Sequence, residues 1–386
     1  MLPPTCGRSR IVSRGLDEHR HLLSDRARLA ALQRAVLTVV RPGDVVVDLA
    51  SGTGILGLMA CRAGASRVYS IDDGGIIDVA RALARANGCA DRMTFVMGHS
   101  ADVELPERAD VLIADQIGYF GFEAGLLELY SDARRRLLNP CGRMMPERVH
   151  LMVGLVESED VRDRIAFWSG QAAGFDLSPG TEIAANTAYP LTLSDSDLLS
   201  DGVNGAVIDV RSAGTAAFSV KADLTAFRSG ALDAIGGWFV AELAAGVTMT
   251  NAPGAPDQIT RQHLALPLGS PMTVRKGDPV TVSMQIRPAE RLVRWTVDVR
   301  NGEHRLVRST MNGMLLPREF LARTRPRFVP RLTERGKARQ TVLDLCDGVR
   351  AVAEIERAAY ERHPDLFASL DLAQTFVAEV VARDGA

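Results

Sequence analysis

The run Val45-Val46-Val47-Asp48-Leu49 breaks into Ala50-Ser51-Gly52-Thr53-Gly54 and then Ile55-Leu56, and twenty positions beyond Gly52 a second apolar run ends at Ile71-Asp72. No other feature limits the fold as much. A β-branched run that ends in a turn of small residues and opens a helix is the first half of a βαβ unit, which commits the chain to a parallel sheet. At such a turn the helix N-terminus presents backbone N–H groups to a ligand, and an acid closing the second strand can grip ribose hydroxyls. The turn reads as a cradle for an adenosine-containing cofactor.

Two cofactors compete for it. Gly52, Gly54 and Gly57 with Asp72 fit the dinucleotide pattern, so an NAD-dependent oxidoreductase stays open. Two details favour S-adenosylmethionine. Asp48 closes the first strand just before the turn, where a carboxylate can face an ammonium, and the turn is otherwise built of Ala, Ser and Thr. A carboxylate aimed at a pyrophosphate would repel it.

At 386 residues, with 46% of them hydrophobic, the chain exceeds one ordinary core and is expected to divide into two or three domains. A formal net charge of -2 gives no overall pull toward nucleic acid. Five cysteines, an odd number without C-x-x-C spacing, argue against a disulfide framework and a zinc knuckle and point to a cytoplasmic protein. There is no apolar h-region at the N-terminus and no membrane-spanning run, so neither export nor insertion is expected.

Residues 16 to 40 read as one helix, with Leu22, Leu23, Ala27, Leu29, Leu32 and Val36 at three- and four-residue steps. Strands then alternate with helices: strand 45 to 49, helix 55 to 63, strand 67 to 71, helix 76 to 87, strand 93 to 97 and strand 110 to 114. That order predicts an α/β, Rossmann-like doubly wound sheet, the first domain covering residues 1–145. Asp115 follows the last of these strands, at the sheet edge where ligands meet reacting groups. From residue 146 to 316 short alternating runs such as Val149-His150-Leu151-Met152-Val153 and Pro279-Val280-Thr281-Val282 predict an antiparallel β-barrel domain. Residues 317–339, rich in Arg and Pro, read as a basic linker, and 340–386 as a small helical or winged-helix unit.

In this order the cofactor turn, Asp72, the segment Gly98-His99-Ser100-Ala101-Asp102-Val103-Glu104-Leu105-Pro106, the Asp115 to Phe122 segment, Met145-Pro146-Glu147-Arg148 and the following β-domain resemble the protein arginine methyltransferases. The resemblance spans roughly residues 16 to 310. It implies that S-adenosylmethionine is the cofactor and that Arg28, in Leu22-Leu23-Ser24-Asp25-Arg26-Ala27-Arg28, binds the donor's methionine carboxylate, a task suited to a planar fork. Asp72 would hold the ribose, and Gly52 and Gly54 would let the backbone approach. Asp48, Ser100 and Ala101 complete the donor-binding set. Asp115 would be the first acid of the family's paired-carboxylate hairpin and the principal catalytic residue, with Glu123 second and Tyr119 walling the acceptor channel. His19 and His21 lie on the helix that the fold could bring over the donor.

The chain departs from the family in several places. The first glycine of the turn is Ala50, small enough to be harmless. Asp115 replaces a glutamate. The second acid's position holds Ala124, with Glu123 one step early. The family's Thr-His-Trp loop falls near Gln258-Ile259-Thr260, so its histidine and tryptophan are missing. A guanidinium needs two carboxylates to hold its fork, whereas an imidazole, largely neutral at pH 7 with an ordinary pKa of about 6.5, asks for one. The acceptor is therefore read as a histidine imidazole or an arginine guanidine of a peptide or protein. Leu343-Asp344-Leu345-Cys346-Asp347-Gly348 with Val352-Ala353-Glu354-Ile355 is similar to winged-helix domains that recognise leader peptides of ribosomally made natural products. That similarity implies a precursor-peptide substrate. The family also implies a homodimer, through an arm beginning near Phe167-Trp168-Ser169-Gly170. A non-catalytic donor-binding module, lacking the second acid, is a further alternative.

Overall fold

The computed structural model describes residues 15–300 and 302–384. The expected first helix is two. α1 (Leu16–Ser24) stops at Asp25, whose backbone is extended, and whose side chain accepts from Arg28 N at 3.0 Å to start α2 (Arg26–Val39). An Asp that satisfies a free N–H of the next helix is a better cap than a helix interior residue, so the periodicity continues while the backbone breaks.

Next come β1 (Val45–Leu49), α3 (Ile55–Arg62), β2 (Arg67–Asp72), α4 (Ile76–Ala86), β3 (Met93–Met97), β4 (Ala109–Ile113), α5 (Leu126–Arg136) and β5 (Leu138–Met145). The five strands are parallel in the order β3-β2-β1-β4-β5. The order reverses at β1, so the crevice between the carboxyl ends of β1 and β4 is the switch point where a ligand has room. Val46, Val47, Val111 and Leu112 are buried, as strands covered on both faces require.

The β-domain follows as two antiparallel sheets. The first joins β6 (Arg148–Val156), β9 (Tyr189–Leu191), β10 (Val203–Asp209), β12 (Gly230–Ala244), β13 (Val247–Thr250) and β14 (His263–Val274); the second joins β11 (Phe218–Thr225), β15 (Pro279–Arg287), β16 (Leu292–Val299) and β17 (His304–Ser309). Their inner faces share one core, and Trp295 Nε1 reaches from β16 to Pro267 O at 3.2 Å. Between β6 and β9 lie α6 (Glu159–Ala166), a two-residue hairpin of β7 (Gln171–Ala172) and β8 (Phe175–Asp176), and α7 (Thr181–Ala185). Phe167, Trp168 and Phe175 are exposed there.

The parallel sheet and the β-domain belong to one compact unit ending at Met314, because Phe120, Phe122, Val149, Leu151 and Phe239 bury in one cluster with the strand residues of the first sheet. The change at Pro146 is thus a change of topology within a shared core. Residues 315–384 form a second compact unit. Its Arg-rich stretch holds α8 (Arg318–Arg323) and the start of α9 (Glu334–Leu345), which packs with α10 (Val352–Arg362) and α11 (Leu370–Asp384) around Val342, Ala359, Phe376 and Val377. Of the two forms expected for this unit the helical one is present; no strand, hence no wing, occurs among its described residues.

Candidate active site

The cradle is assembled at the carboxyl end of β1. Gly52 and Gly54 take φ of +53° and +71°, the left-handed region that favours glycine. Ala50 also lies there, at φ +50°. It is therefore not harmless: its Cβ costs roughly 1 kcal/mol in this conformation. A Cβ on Gly52 would stand 3.0 Å from the His19 ring, so α1 roofs the turn and His19 is buried against it. His21, by contrast, is exposed beside Asp17.

Asp72 closes β2 and accepts from Gly52 N at 2.7 Å and Gly74 N at 2.9 Å. Each oxygen keeps a lone pair, which is what a ribose diol needs. Asp48 lies beneath the turn, 0% exposed, accepting from Gly57 N at 3.0 Å at the start of α3. Burial pushes its carboxyl up to about 8, against the Gly57 hydrogen bond and with the Asp72 charge adding to the rise. Asp48 Oδ1 and Ser51 Oγ are buried with no hydrogen-bond partner among the described residues. Ser100 and Ala101 form a short turn after β3, held by Arg136 Nη2 on Ser100 O at 2.5 Å and by Ala101 N on His99 Nδ1 at 3.2 Å.

The acid corner lies at the end of β4. Asp115, with a side chain 4% exposed, receives Arg28 Nε on Oδ2 at 2.6 Å and Arg261 Nη2 on the same oxygen at 3.1 Å. Arg261 Nη1 is 3.4 Å from Oδ1. Burial alone would push the Asp115 carboxyl up, but the charges of Arg261 and Arg28 and their hydrogen bonds outweigh it and hold it below its ordinary value. Arg28 Nη1 donates to Leu22 O at 2.9 Å, which leaves Nη2 for a donor carboxylate.

Glu123 is turned into its own loop. Its carboxylate accepts from the backbone N–H groups of Tyr119, of Phe120 at 2.7 Å and of Phe122 at 3.1 Å. Burial raises its pKa, and those backbone bonds offset only part of the rise. Tyr119 packs against the main core, and its carbonyl accepts from Asn251 Nδ2 at 2.8 Å, tying the hairpin to the β-domain. Asp115 and Arg28, given separate roles by the sequence reading, meet in a direct ion pair, while Glu123 is committed to its own loop.

Two residues escaped the sequence reading. Asp25, besides capping α2, accepts from Thr260 N at 2.6 Å and so ties the N-terminal helices to the β-domain. Arg261 directly follows the Gln258-Ile259-Thr260 segment and reaches Asp115. A contact between residues so far apart along the chain leaves no local signal in the sequence.

The parallel sheet with its switch-point turn, acid-closed β2 and roofing helix defines a class I S-adenosylmethionine-dependent methyltransferase. The residues fit that cofactor: a left-handed glycine cradle, an orphaned Ser51 hydroxyl, an acid with spare lone pairs and an Arg with a spare edge. Residues 28–133 match the family described as ribosomal protein L11 methyltransferase (PrmA). Protein arginine N-methyltransferase 1 of Schizosaccharomyces pombe is 28% identical over 284 residues, 70% of this chain and 82% of that one. An arginine N(omega)-methyltransferase of Streptomyces achromogenes subsp. streptozoticus is 29% identical over 274 residues, 69% of this chain and 75% of that one. Among solved structures, the Trypanosoma brucei PRMT1 enzyme-prozyme heterotetrameric complex with AdoHcy superposes with a TM-score of 0.69 at 22% identity, over 76% of this chain and 98% of that one. The chain is an S-adenosylmethionine-dependent methyltransferase that is similar in sequence and fold to protein arginine methyltransferases. The nicotinamide alternative and the non-catalytic one are set aside. No helix among the described residues is long and apolar enough to cross a membrane.

Proposed function

We propose that this enzyme moves the methyl group of S-adenosylmethionine to a side-chain nitrogen, histidine imidazole or arginine guanidine, of a peptide or protein. The observation that carries the reading is the shared roof. α1 lays His19 on the Gly52 turn, while α2 lays Arg28 on Asp115, so cradle and acid belong to one crevice. The donor supplies an electrophilic methyl on a sulfonium. The chain supplies position: Arg28 and Asp72 hold the two ends of the donor with Gly52, Gly54, Ser100 and Ala101 along it, and Asp115 orients the acceptor N–H so that the reacting lone pair points at the methyl. The names of the relatives support the guanidine; the diversion of Glu123 into its own hairpin favours the imidazole.

Three finer parts belong to the same proposal. The helical unit from residue 315 grips a segment of the acceptor peptide remote from the reacting residue, a natural-product precursor fitting this role, and so raises its local concentration. Phe167, Trp168 and Phe175 are exposed where the resemblance places the start of a dimerisation arm, which supports a homodimer. Cys61, Cys89, Cys141 and Cys346 are free thiols, in keeping with a cytoplasmic setting.

Mass spectrometry of a peptide pool incubated with enzyme and S-adenosylmethionine tests the central reading. A mass gain of one or more methyl groups on a His or Arg residue is expected. Asp115→Asn should abolish it while S-adenosylhomocysteine still binds. Full activity in that variant would remove Asp115 from the reaction.

A further inference from the structure

The acceptor corner already holds a guanidinium of the chain's own. Arg261 lays both Nη atoms across the Asp115 carboxylate, at 3.1 and 3.4 Å, with its central carbon 5.8 Å from the centroid of the Phe239 ring. A carboxylate at the edge and an aromatic ring beside the plane is the arrangement an acceptor guanidinium would seek. Arg261 is not a stray surface side chain. It is 14% exposed, and the preceding residue is pinned by the 2.6 Å bond from Thr260 N to Asp25. Arg261 N donates to Ile259 O at 2.8 Å, and Gln262 O accepts from Asn251 Nδ2 at 2.8 Å. With Thr192, Gln258, Ile259, Thr260 and Gln262 it also walls a cavity of about 310 Å³, so a side chain in that cavity lies against Arg261.

We propose that Arg261 is a specificity-determining residue: its guanidinium occupies the seat that an acceptor arginine would need, and the enzyme selects a neutral nitrogen, the imidazole of a histidine. This rests on the methyl-transfer reading above. The charged groups at the corner include Arg28, Arg261, Asp115 and Asp25, and Glu123 lies on the loop that follows Asp115. Asp115 is shared by the two guanidinia, Asp25 is committed to Arg28 N and Thr260 N, and Glu123 to its own loop. A third guanidinium would have to expel Arg261 from its carboxylate and leave that charge unpaired, a penalty of at least about tenfold in affinity. A neutral ring expels nothing. Asp115 Oδ1, carrying only the 3.4 Å contact, keeps a lone pair for the N–H of one ring nitrogen. The other nitrogen forms the N–C bond with its lone pair as the C–S bond breaks and its electrons return to sulfur. The proton on the first nitrogen passes to water after release.

The test uses the full-length enzyme, wild type, Arg261→Ala and Arg261→Lys, each saturated with S-adenosylhomocysteine. A rise in Tm on adding it reports that the cradle is folded and binds; no rise in wild type would defeat the donor reading itself and leaves a signature separate from the one that follows. Calorimetric titration then uses Nα-acetylhistidine methylamide and Nα-acetylarginine methylamide as probes. Wild type should prefer the histidine probe. Arg261→Ala should shift the histidine-to-arginine affinity ratio at least tenfold toward arginine, and Arg261→Lys, which keeps a cation, should restore the wild-type preference. General damage would weaken both probes and leave the ratio alone. An unchanged ratio in Arg261→Ala, a wild type that takes the arginine probe as readily, or no binding of either probe to any form would overturn the proposal while the donor reading stands.

Discussion

Single residues set the chemistry of this site through their burial. Asp48 and Asp115 are both removed from water, and their carboxyls move in opposite directions because burial at Asp48 is opposed only by a backbone N–H and reinforced by the Asp72 charge, whereas Asp115 faces two guanidinia. The consequence for stability has opposite signs. A carboxyl raised in the fold binds its proton more tightly when folded, so the stability from Asp48 is full below its ordinary pKa and is lost as pH rises toward about 8. The contribution of Asp115 is present above its ordinary pKa and is lost as pH falls through the lowered one. Urea unfolding of the donor-free enzyme between about pH 4 and 8 should therefore show a midpoint falling with pH, and Asp48→Asn should flatten that slope. A slope that survives the substitution would assign it to another group.

At the scale of elements, the hairpin from Asp115 to Glu123 shows how a sequence motif can keep an acid and change its use. Glu123 closes the loop on itself through the N–H groups of Tyr119, Phe120 and Phe122. Glu123→Ala leaves those donors without an acceptor in a buried loop, a loss on the order of 3 kcal/mol. The loop carries Asp115 at its start, so kcat should fall with it, while S-adenosylhomocysteine affinity, set mainly on β1 and β2, should change less than about threefold. Calorimetry on the variant reads both. The same scale explains why the helix expected over residues 16 to 40 divides. Its apolar spacing runs through Asp25, yet the cap and the bond to Thr260 both need Asp25 outside a helix.

At the scale of the whole molecule, two compact units with separate cores predict separable behaviour. A fragment ending at Met314 should fold and bind S-adenosylhomocysteine with the affinity of the full chain. Its KM for a cognate peptide should rise at least about tenfold if the C-terminal unit supplies remote affinity. If the exposed aromatic segment around Trp168 carries the proposed dimer, light scattering should give the same oligomeric state for fragment and full chain, because that segment lies in the retained unit. An unchanged KM would relieve the helical unit of any part in substrate capture.

The sequence by itself determined the parallel sheet, the glycine turn after β1, the acid closing β2 at Asp72, the placing of Asp115 after β4 and the switch to antiparallel strands near Pro146. Each is written in residues close along the chain, where periodicity and turn chemistry act directly. Only the tertiary structure decided what surrounds Asp115. Arg261 is 146 residues away and Arg28 is 87. No local pattern reports such a meeting, which depends on one core holding the α2 helix, the β4 edge and the loop before β14 against one another. The diversion of Glu123 and the strained Ala50 were hidden for a related reason: residue type limits what a side chain or backbone can do, and packing selects among those options.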